Sequence, residues 1–168
     1  SYTWDFAGEA TSTDANPAYT FTTPGQRKIS VTASANGCDA TLIKNAYQFE
    51  KPVADFSNTG ECNFVDVVFA NESTIPNGAG MGYAWDFNSA AISREEAPAY
   101  AFATAGAKTV VLTATSEFGC VDAVSKVVNL NVSPEADFTF DKACNLTKIN
   151  FERTGTANAS QSTWAWDF

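Results

Sequence analysis

A short aromatic motif occurs three times in the chain at a constant spacing. The motif is an aromatic residue, one further residue and then Trp-Asp-Phe, and it occupies Tyr2–Phe6, residues 83–87 and residues 164–168. The tryptophan before the aspartate recurs at a fixed offset, since 85 minus 4 and 166 minus 85 both give 81. A fixed period indicates that one structural unit has been copied along the chain. The aromatic residues alternate with other residues and therefore share one face of an extended strand, which predicts a core strand in each copy.

The composition narrows the fold class and the kinds of partner. Thr, Val, Phe and Ala are common, Leu and Met are scarce, and Gly or Pro separates short alternating segments. This pattern predicts an all-β protein. Nineteen acidic residues, ten basic residues and no histidine give a net charge of −9, which argues against binding to nucleic acid or to an anionic membrane. No apolar run approaches the roughly 18 residues of a membrane span, so we expect no membrane insertion.

Two further segments repeat with the same spacing. Residues 16–21 read Asn-Pro-Ala-Tyr-Thr-Phe and residues 97–102 read Ala-Pro-Ala-Tyr-Ala-Phe, which predicts a strand opened by proline in each copy. The strand after each segment alternates apolar and polar residues. Its predicted inward residues are Ile29, Val31 and Ala33 in one copy and Val110, Leu112 and Ala114 in the other. An earlier strand of the second copy places Val65, Val67 and Phe69 inward by the same alternation.

These repeats divide the chain into three predicted segments. Residues 1–50 form the later part of a first repeat, residues 51–132 form a complete repeat, and residues 133–168 form the early part of a third. The chain is then either a section of a longer tandem array or a subunit whose copies complete one another by strand addition. Both partial repeats contain the tryptophan strand. Two partial repeats that complete one another by strand addition would need only one such strand between them. This duplication favours the tandem array.

Large aromatic residues at the inward positions define the predicted core. They recur in all three segments, and about seven short strands per repeat around one core tryptophan fit a two-sheet sandwich. The predicted core residues are Trp4, Phe6, Tyr19, Phe21, Phe56, Phe69, Trp85, Phe87, Tyr100, Phe102, Phe138, Phe151 and Trp166.

The repeated motifs resemble those of the PKD domain, an immunoglobulin-like β-sandwich common in bacterial surface proteins. The resemblance lies in Tyr-x-Trp-Asp-Phe, in Asn-Pro-Ala-Tyr-x-Phe and in the strand Val-x-Leu-Thr-Ala-Thr, and it extends in phase over the chain. The chain departs from the family after Trp-Asp-Phe, where members usually continue with Gly-Asp-Gly and this chain has residues 7–9 and 88–90 instead. The resemblance implies tandem immunoglobulin-like sandwiches of the kind found in very large exported adhesins and gliding-associated proteins. It therefore implies an extracellular, cell-surface location.

Four cysteines, Cys38, Cys62, Cys120 and Cys144, are candidates for disulfide bonds in an exported chain. Each repeat has one cysteine before its second strand and one in its late hairpin. These loops lie at opposite ends of an immunoglobulin-like sandwich, too far apart for the Cα separation of about 4.4–6.8 Å that a disulfide requires. We therefore expect bridges between adjacent repeats, while an intradomain bond and free thiols stay open. No Cys-x-x-Cys or histidine accompanies them, so we expect no metal site.

No residue is predicted to be catalytic, and we do not expect an enzyme. Asp5, Asp86 and Asp167 recur beside the core tryptophans, and paired carboxylates can hydrolyse glycosides. Their recurrence in every repeat instead predicts that they order the following turn.

We also expect no cofactor. Asp55 and Asp137, near the predicted junctions, are the residues that could bind Ca²⁺. Three exposed aromatic residues, Tyr47, Phe49 and Phe118, are interpreted as linker or loop packing.

The sequence favours a structural role. A tandem array serves as the stalk or filament of a large extracellular bacterial adhesin, with neighbouring repeats or identical copies and an unknown surface ligand as its partners. One alternative is that the repeats are accessory carbohydrate- or protein-binding modules of a secreted hydrolase. A second alternative is a self-assembling filament whose subunits exchange strands at the partial repeats.

Overall fold

The computed structural model describes residues 1–76, 78–144, 147–156, 163 and 165–167. These residues form thirteen β-strands and no helix, so they include no helix that could cross a membrane. The predicted all-β class is confirmed. The strands are β1 (Tyr2–Phe6), β2 (Thr11–Ser12), β3 (Gly25–Ala35), β4 (Cys38–Gln48), β5 (Phe56–Thr59), β6 (Asp66–Asn71), β7 (Met81–Phe87), β8 (Ile92–Ser93), β9 (Ala99–Ala101), β10 (Gly106–Ser116), β11 (Val121–Leu130), β12 (Phe138–Phe140) and β13 (Phe151–Arg153).

The chain forms two compact units. The first comprises Ser1–Pro52, Ile75–Met81 and Thr115–Val121. The second comprises Val53–Thr74, Gly82–Ala114 and Asp122–Phe168.

The first segment of the chain forms a four-stranded antiparallel sheet in the order β2-β1-β3-β4. β3 and β4 pair without interruption from Gly25↔Gln48 to Ala35↔Cys38. Asn36 and Gly37 connect them, with φ angles of 52° and 79°. Positive φ at both central residues is the requirement of the two-residue hairpin turn for which Asn-Gly is preferred. The local sequence therefore accounts for this hairpin.

One face of this sheet is apolar and only partly covered. Paired residues of antiparallel strands lie on the same face, and Trp4 pairs with Val31, which pairs in turn with Leu42. Trp4 and Val31 are partly buried, whereas Leu42 is 55% exposed. We name this surface the Trp4 face. Its residues are Tyr2, Trp4, Phe6, Ile29, Val31, Ala33, Leu42 and Lys44.

The complete repeat contains seven strands in two sheets, β5-β6-β9 and β11-β10-β7-β8. Their inward residues form one core in which Trp85 is 1% exposed and contacts Phe56 and Phe69, with ring centroids 5.1 and 5.5 Å away. A tryptophan buries about 150–250 Å², worth roughly 4–6 kcal/mol at about 25 cal/mol per Å² before entropy is subtracted. The fully or nearly fully buried members of this core are Phe56, Val67, Phe69, Trp85, Phe87, Phe102, Val110, Leu112, Val128 and Leu130.

The described residues of the third segment form a two-stranded antiparallel pair, β12 and β13. Phe140 pairs with Phe151, and Phe138 pairs with Arg153. Trp164 and Phe168, part of the third motif, lie outside the described residues.

The structure corrects several sequence-based predictions. Residues 16–21 do not form a strand, because β9, the equivalent strand of the complete repeat, is held by β6 and the described residues of the first segment include no such neighbour. Tyr19 is accordingly 37% exposed. Val65 precedes β6 and is 54% exposed rather than inward.

Three residues predicted for the core are at the surface. Phe138, Phe151 and Trp166 are 49%, 41% and 46% exposed. These residues alternate in the manner of an inward face, but the described residues of this segment include no second sheet that covers the pair. Of the other predicted core residues, Phe6, Phe56, Phe69, Trp85, Phe87 and Phe102 are buried, and Trp4, Phe21 and Tyr100 are partly buried.

Candidate functional site

The turn after each tryptophan strand is ordered by its aspartate. Asp5 Oδ1 accepts a hydrogen bond of 2.7 Å from Gly8 N, and Asp86 Oδ1 accepts one of 2.6 Å from Ser89 N. The prediction that these carboxylates order the turn is confirmed at both positions. Asp167 is described as exposed, but the turn that would follow it is outside the described residues.

A lysine of β11 fixes the start of β5. Lys126 Nζ lies 2.6 Å from Asp55 Oδ1, donates to the backbone oxygen of Phe56 and lies 5.1 Å from the centre of the Phe56 ring. The hydrogen bond from Lys126, followed by that from Phe56 N, lowers the pKa of Asp55 below its ordinary value. One lysine thereby contacts a charge, a carbonyl and a ring at the edge of the core.

This ion pair bears on the calcium hypothesis. Ca²⁺ requires about six to eight oxygen ligands, whereas the carboxylate of Asp55 already faces an ammonium group. Asp137 accepts hydrogen bonds from Phe138 N and Thr154 Oγ1, each 2.9 Å long. Among the described residues, no group of three or more His, Cys, Asp or Glu side chains is suited to hold a metal ion.

The third segment reproduces the ring cluster of the complete core at the surface. Phe138 and Phe151 lie 5.6 and 6.0 Å from Trp166, at interplanar angles of 74° and 50°. The corresponding angles at Trp85 are 68° and 50°. An open groove of about 450 Å³ runs along these rings. We name the surface of Phe138, Phe151 and Trp166 the Phe138 face.

An exposed aromatic stack lies in the first compact unit. The rings of Phe49 and Phe118 are 4.0 Å apart and nearly parallel, and Tyr47 stacks on Phe49 at 6.4 Å. Gln26 Nε2 donates a hydrogen bond of 3.0 Å to Tyr47 Oη. A groove of about 370 Å³ adjoins the stack. The three rings therefore pack on one another. Tyr47 lies within β4, whereas Phe49 and Phe118 lie outside the strands. The interpretation of these residues as linker or loop packing stays a prediction.

The four predicted disulfide cysteines are not bonded to one another; Cys38 and Cys144 are exposed, and Cys62 and Cys120 are partly buried. Cys120 immediately precedes β11, while Cys62 forms a parallel bridge with Asn131, immediately after β11. The two cysteines thus belong to opposite ends of one strand. The pairing of the cysteines stays a prediction.

Sequence reasoning missed Lys126, the side chain that fixes the start of β5. A signal was available, because Lys44 and Lys126 are separated by the same offset as Asp55 and Asp137, since 126 minus 44 and 137 minus 55 both give 82. A lysine and an aspartate that recur at the same offset indicate an ion pair that is part of each complete repeat. Recognising the pair needed the topology that brings β11 beside the start of β5.

The fold and its core define the class of this protein. Two antiparallel sheets packed around a buried tryptophan form an immunoglobulin-like β-sandwich. Residues 50–132 match the family model of the PKD domain. The resemblance to the PKD domain seen in the sequence is confirmed for this part of the chain.

Two solved structures of PKD domains are similar to the chain. The PKD1 domain of Vibrio anguillarum Epp is 29% identical, with 51% of this chain and 100% of that chain covered and a TM-score of 0.47. The PKD1 domain from the Vibrio cholerae metalloprotease PrtV is also 29% identical, with 48% of this chain and 98% of that chain covered and a TM-score of 0.44. No curated protein matches the chain.

Proposed function

We propose that the chain is a stalk section of a large extracellular bacterial surface protein, in which repeated sandwiches provide reach and stiffness. The observation that carries this proposal is that local structure is copied along with the sequence. Trp4 Nε1 donates to the backbone oxygen of Asp14 at 3.1 Å, and Trp85 Nε1 donates to that of Glu95 at 2.9 Å. Each further copy of a repeat lengthens the chain. Repeats that share the same local contacts are therefore suited to extension.

The composition is consistent with this role. A net charge of −9 favours solubility and discourages association with polyanions. In the first unit, the exposed rings of Tyr47, Phe49 and Phe118 stack on one another and do not form an open row of ring faces. A stalk needs no ligand site in each repeat, and an unidentified surface ligand would bind elsewhere in the protein.

Single-molecule stretching tests the stalk proposal. Each repeat spans a period of 81 residues and should reach an extended length of about 280 Å when it unfolds, at roughly 3.5 Å per residue. The gain in length at each force peak is this value less the length of the folded repeat. We expect a series of evenly spaced force peaks, one for each repeat. Saturable binding of a polysaccharide or peptide that is lost in Tyr47→Ala, without regular force peaks, would favour the accessory-module alternative.

We also propose that the cysteines link adjacent repeats and so stiffen the stalk. The positions of Cys62 and Cys120 at opposite ends of β11 support this pairing over a bond between them, because a disulfide requires a Cα separation of about 4.4–6.8 Å. Peptide mapping of the unreduced protein should recover bridges between different repeats. Recovery of a Cys62–Cys120 peptide as the main product would contradict the proposal.

A further inference from the structure

The stretches of chain that begin and end the complete repeat run side by side in the same direction. We name residues 53–63, which include β5, the entry segment, and residues 122–133, which include most of β11, the exit segment. Contacts join the two segments at several points, and the last of the following is a parallel bridge. The contacting pairs are Ala54 with Asp122, Phe56 with Lys126, and Cys62 with Asn131. The residue numbers rise together in both segments, so the segments are parallel, and we name their contacts the parallel seam.

Side chains of β11 form the parallel seam near the start of β5. Asp122 Oδ2 accepts a hydrogen bond of 2.9 Å from Ala54 N, and Lys126 Nζ donates to the backbone oxygen of Phe56. A neighbouring strand would provide a carbonyl oxygen and an N–H at such positions. The carboxylate and the ammonium group provide the same acceptor and donor through longer side chains. The ion pair of Lys126 with Asp55 adds a charged contact at this end of the seam.

Backbone pairing forms the parallel seam beyond Gly60. This glycine has a φ angle of 107°, and a Cβ atom there would lie 3.0 Å from Asp66 O, so only glycine fits without strain. It separates β5, which pairs with β6, from residues that pair with the end of β11. Beyond it, Glu61 O accepts from Asn131 N at 2.6 Å, and Asn63 N donates to Asn131 O at 3.0 Å. The entry segment thus passes from one sheet to the other.

Asn63 extends the parallel seam past the end of the last strand. Asn63 is 5% exposed, and its Oδ1 accepts a hydrogen bond of 2.7 Å from Ser133 N. The hydroxyl of Ser133 in turn donates to the backbone oxygen of Asn63. Since β11 ends at Leu130, these bonds hold the chain after the strand has ended. The buried side-chain amide thereby gains a hydrogen-bond partner and fixes the point at which the chain leaves the repeat.

The direction of the parallel seam decides how tension acts on it. Tension along the chain pulls the complete repeat at residues 53 and 133 in opposite directions. The first of these positions starts the entry segment and the second ends the exit segment, so the pull runs along both segments. Hydrogen bonds between strands lie across the strand direction, and the pull therefore shears the contacts of the seam together. Two antiparallel strands pulled apart from one end would instead lose their bonds one after another.

We propose that the parallel seam carries tension through the complete repeat, with Asp122, Lys126 and Asn63 as the side chains that hold the entry and exit segments together. The core around Trp85 sets the free energy of unfolding, whereas the seam sets the force at which the repeat opens. The biological use of this device rests on the stalk proposal. The unfolding force itself is a property of the fold and is measured independently of that proposal.

Two asparagines supply a matched pair of variants at the exit end. Asn63 Oδ1 accepts from Ser133 N, across the seam. Asn71 Oδ1 accepts from Ser73 N at 3.0 Å, within one stretch of the chain. Stretching the full chain between its two ends measures the unfolding force of the complete repeat. Asn63→Ala should lower this force by about a third, because it removes one of the few bonds that share the tension, whereas Asn71→Ala should leave the force unchanged.

Two lysines supply the matched pair at the entry end. Lys126 Nζ donates to the backbone oxygen of Phe56, across the seam, whereas Lys108 Nζ donates to the hydroxyl of Thr104, four residues away in the chain. Lys126→Met removes the donor and should lower the unfolding force of the complete repeat. Lys108→Met makes the same change outside the seam and should leave that force unchanged.

Urea unfolding of the same variants separates force from stability. Val110→Ala, at a fully buried residue outside the seam, should lower the urea midpoint more than Asn63→Ala does, and the unfolding force less. Ser133→Ala removes only a hydroxyl donor at a partly buried position and should also lower the force. Equal forces within either matched pair would overturn the proposal, as would forces that follow the urea midpoint across all the variants. Neither result would touch the stalk proposal, which is tested by one force peak for each repeat.

Discussion

The first segment and the complete repeat build the same sheet but not the same core. Phe6 stacks on Tyr19 with centroids 4.9 Å apart, and Phe87 stacks on Tyr100 at 4.7 Å. Trp85, however, is 1% exposed, while Trp4 is only partly buried. The difference is the facing sheet, which in the complete repeat supplies Phe56. Local sequence thus suffices for strand pairing, whereas burial depends on strands distant in the chain.

The same contrast holds along the neighbouring strand. Val110 and Leu112 of β10 are fully buried. Ile29 and Val31, their equivalents on β3, are partly buried although they pair with β1 and β4 in an intact register. Hydrophobic stabilisation is roughly proportional to the apolar area removed from water. Most of the stability of a repeat therefore comes from contact between its two sheets.

The largest predicted effect is a difference in the loss of stability between substitutions of Trp85 and of Trp4. Trp85→Ala leaves a cavity in a closed core and should reduce stability by about 3–5 kcal/mol, enough to unfold the complete repeat. Trp4→Ala should cost only about 1–2 kcal/mol, because part of its surface stays in water. Site-resolved hydrogen exchange of β10 and of β3 measures the two losses separately. Equal losses would show that Trp4 is buried in solution.

A smaller loss of stability, equal in the first segment and the complete repeat, should follow from removing the aspartate that orders the turn. Asp86→Ala and Asp5→Ala each remove the hydrogen bond that orders the turn after the tryptophan strand. Each should cost about 1 kcal/mol, since the turn is local and does not depend on the facing sheet. Amide exchange at Ser89 and Gly8 should accelerate to a similar degree. A turn that loosens only in the first segment would mean that the second sheet also supports this turn.

The smallest effect should be present near neutral pH and should disappear in acid. The pKa of Asp55 is lowered by its hydrogen bond from Lys126, so its contribution to stability is present above about pH 4 and is lost as pH falls through the folded-state pKa. Lys126→Gln should reduce stability near neutral pH. The difference between its curve and the wild-type curve should shrink below the unfolded-state pKa of Asp55 and vanish below the folded-state pKa. Urea unfolding between pH 2 and pH 6 tests this.

The control for the acid measurement is Lys44→Gln, the equivalent change in the first segment. It should leave the acid dependence of the complete repeat unchanged, because Lys44 is exposed on β4. Parallel curves for wild type and Lys126→Gln down to pH 2 would contradict the assigned role of the ion pair.

Several features followed directly from the sequence. The period of the tryptophan motif, the inward faces of the strands and the turn role of Asp5 and Asp86 depend on alternation and on residues close in the chain. The sequence also indicated a seven-stranded sandwich for the complete repeat, because its turns and alternating segments lie within one period. These properties depend on residues close in the chain, and the same patterns occur in more than one repeat.

Other features were decided only by the tertiary structure. The alternation of residues predicted that Trp4, Trp85 and Trp166 all belong to the core. Of these three, only Trp85 is fully buried, because burial requires a second sheet packed against the strand. The ion pair of Lys126 with Asp55 joins two strands far apart in the chain, and no local rule predicts it. The sequence by itself determined which face of each strand is apolar. The tertiary structure decided which of those faces is covered, because covering depends on contacts between strands far apart in the chain.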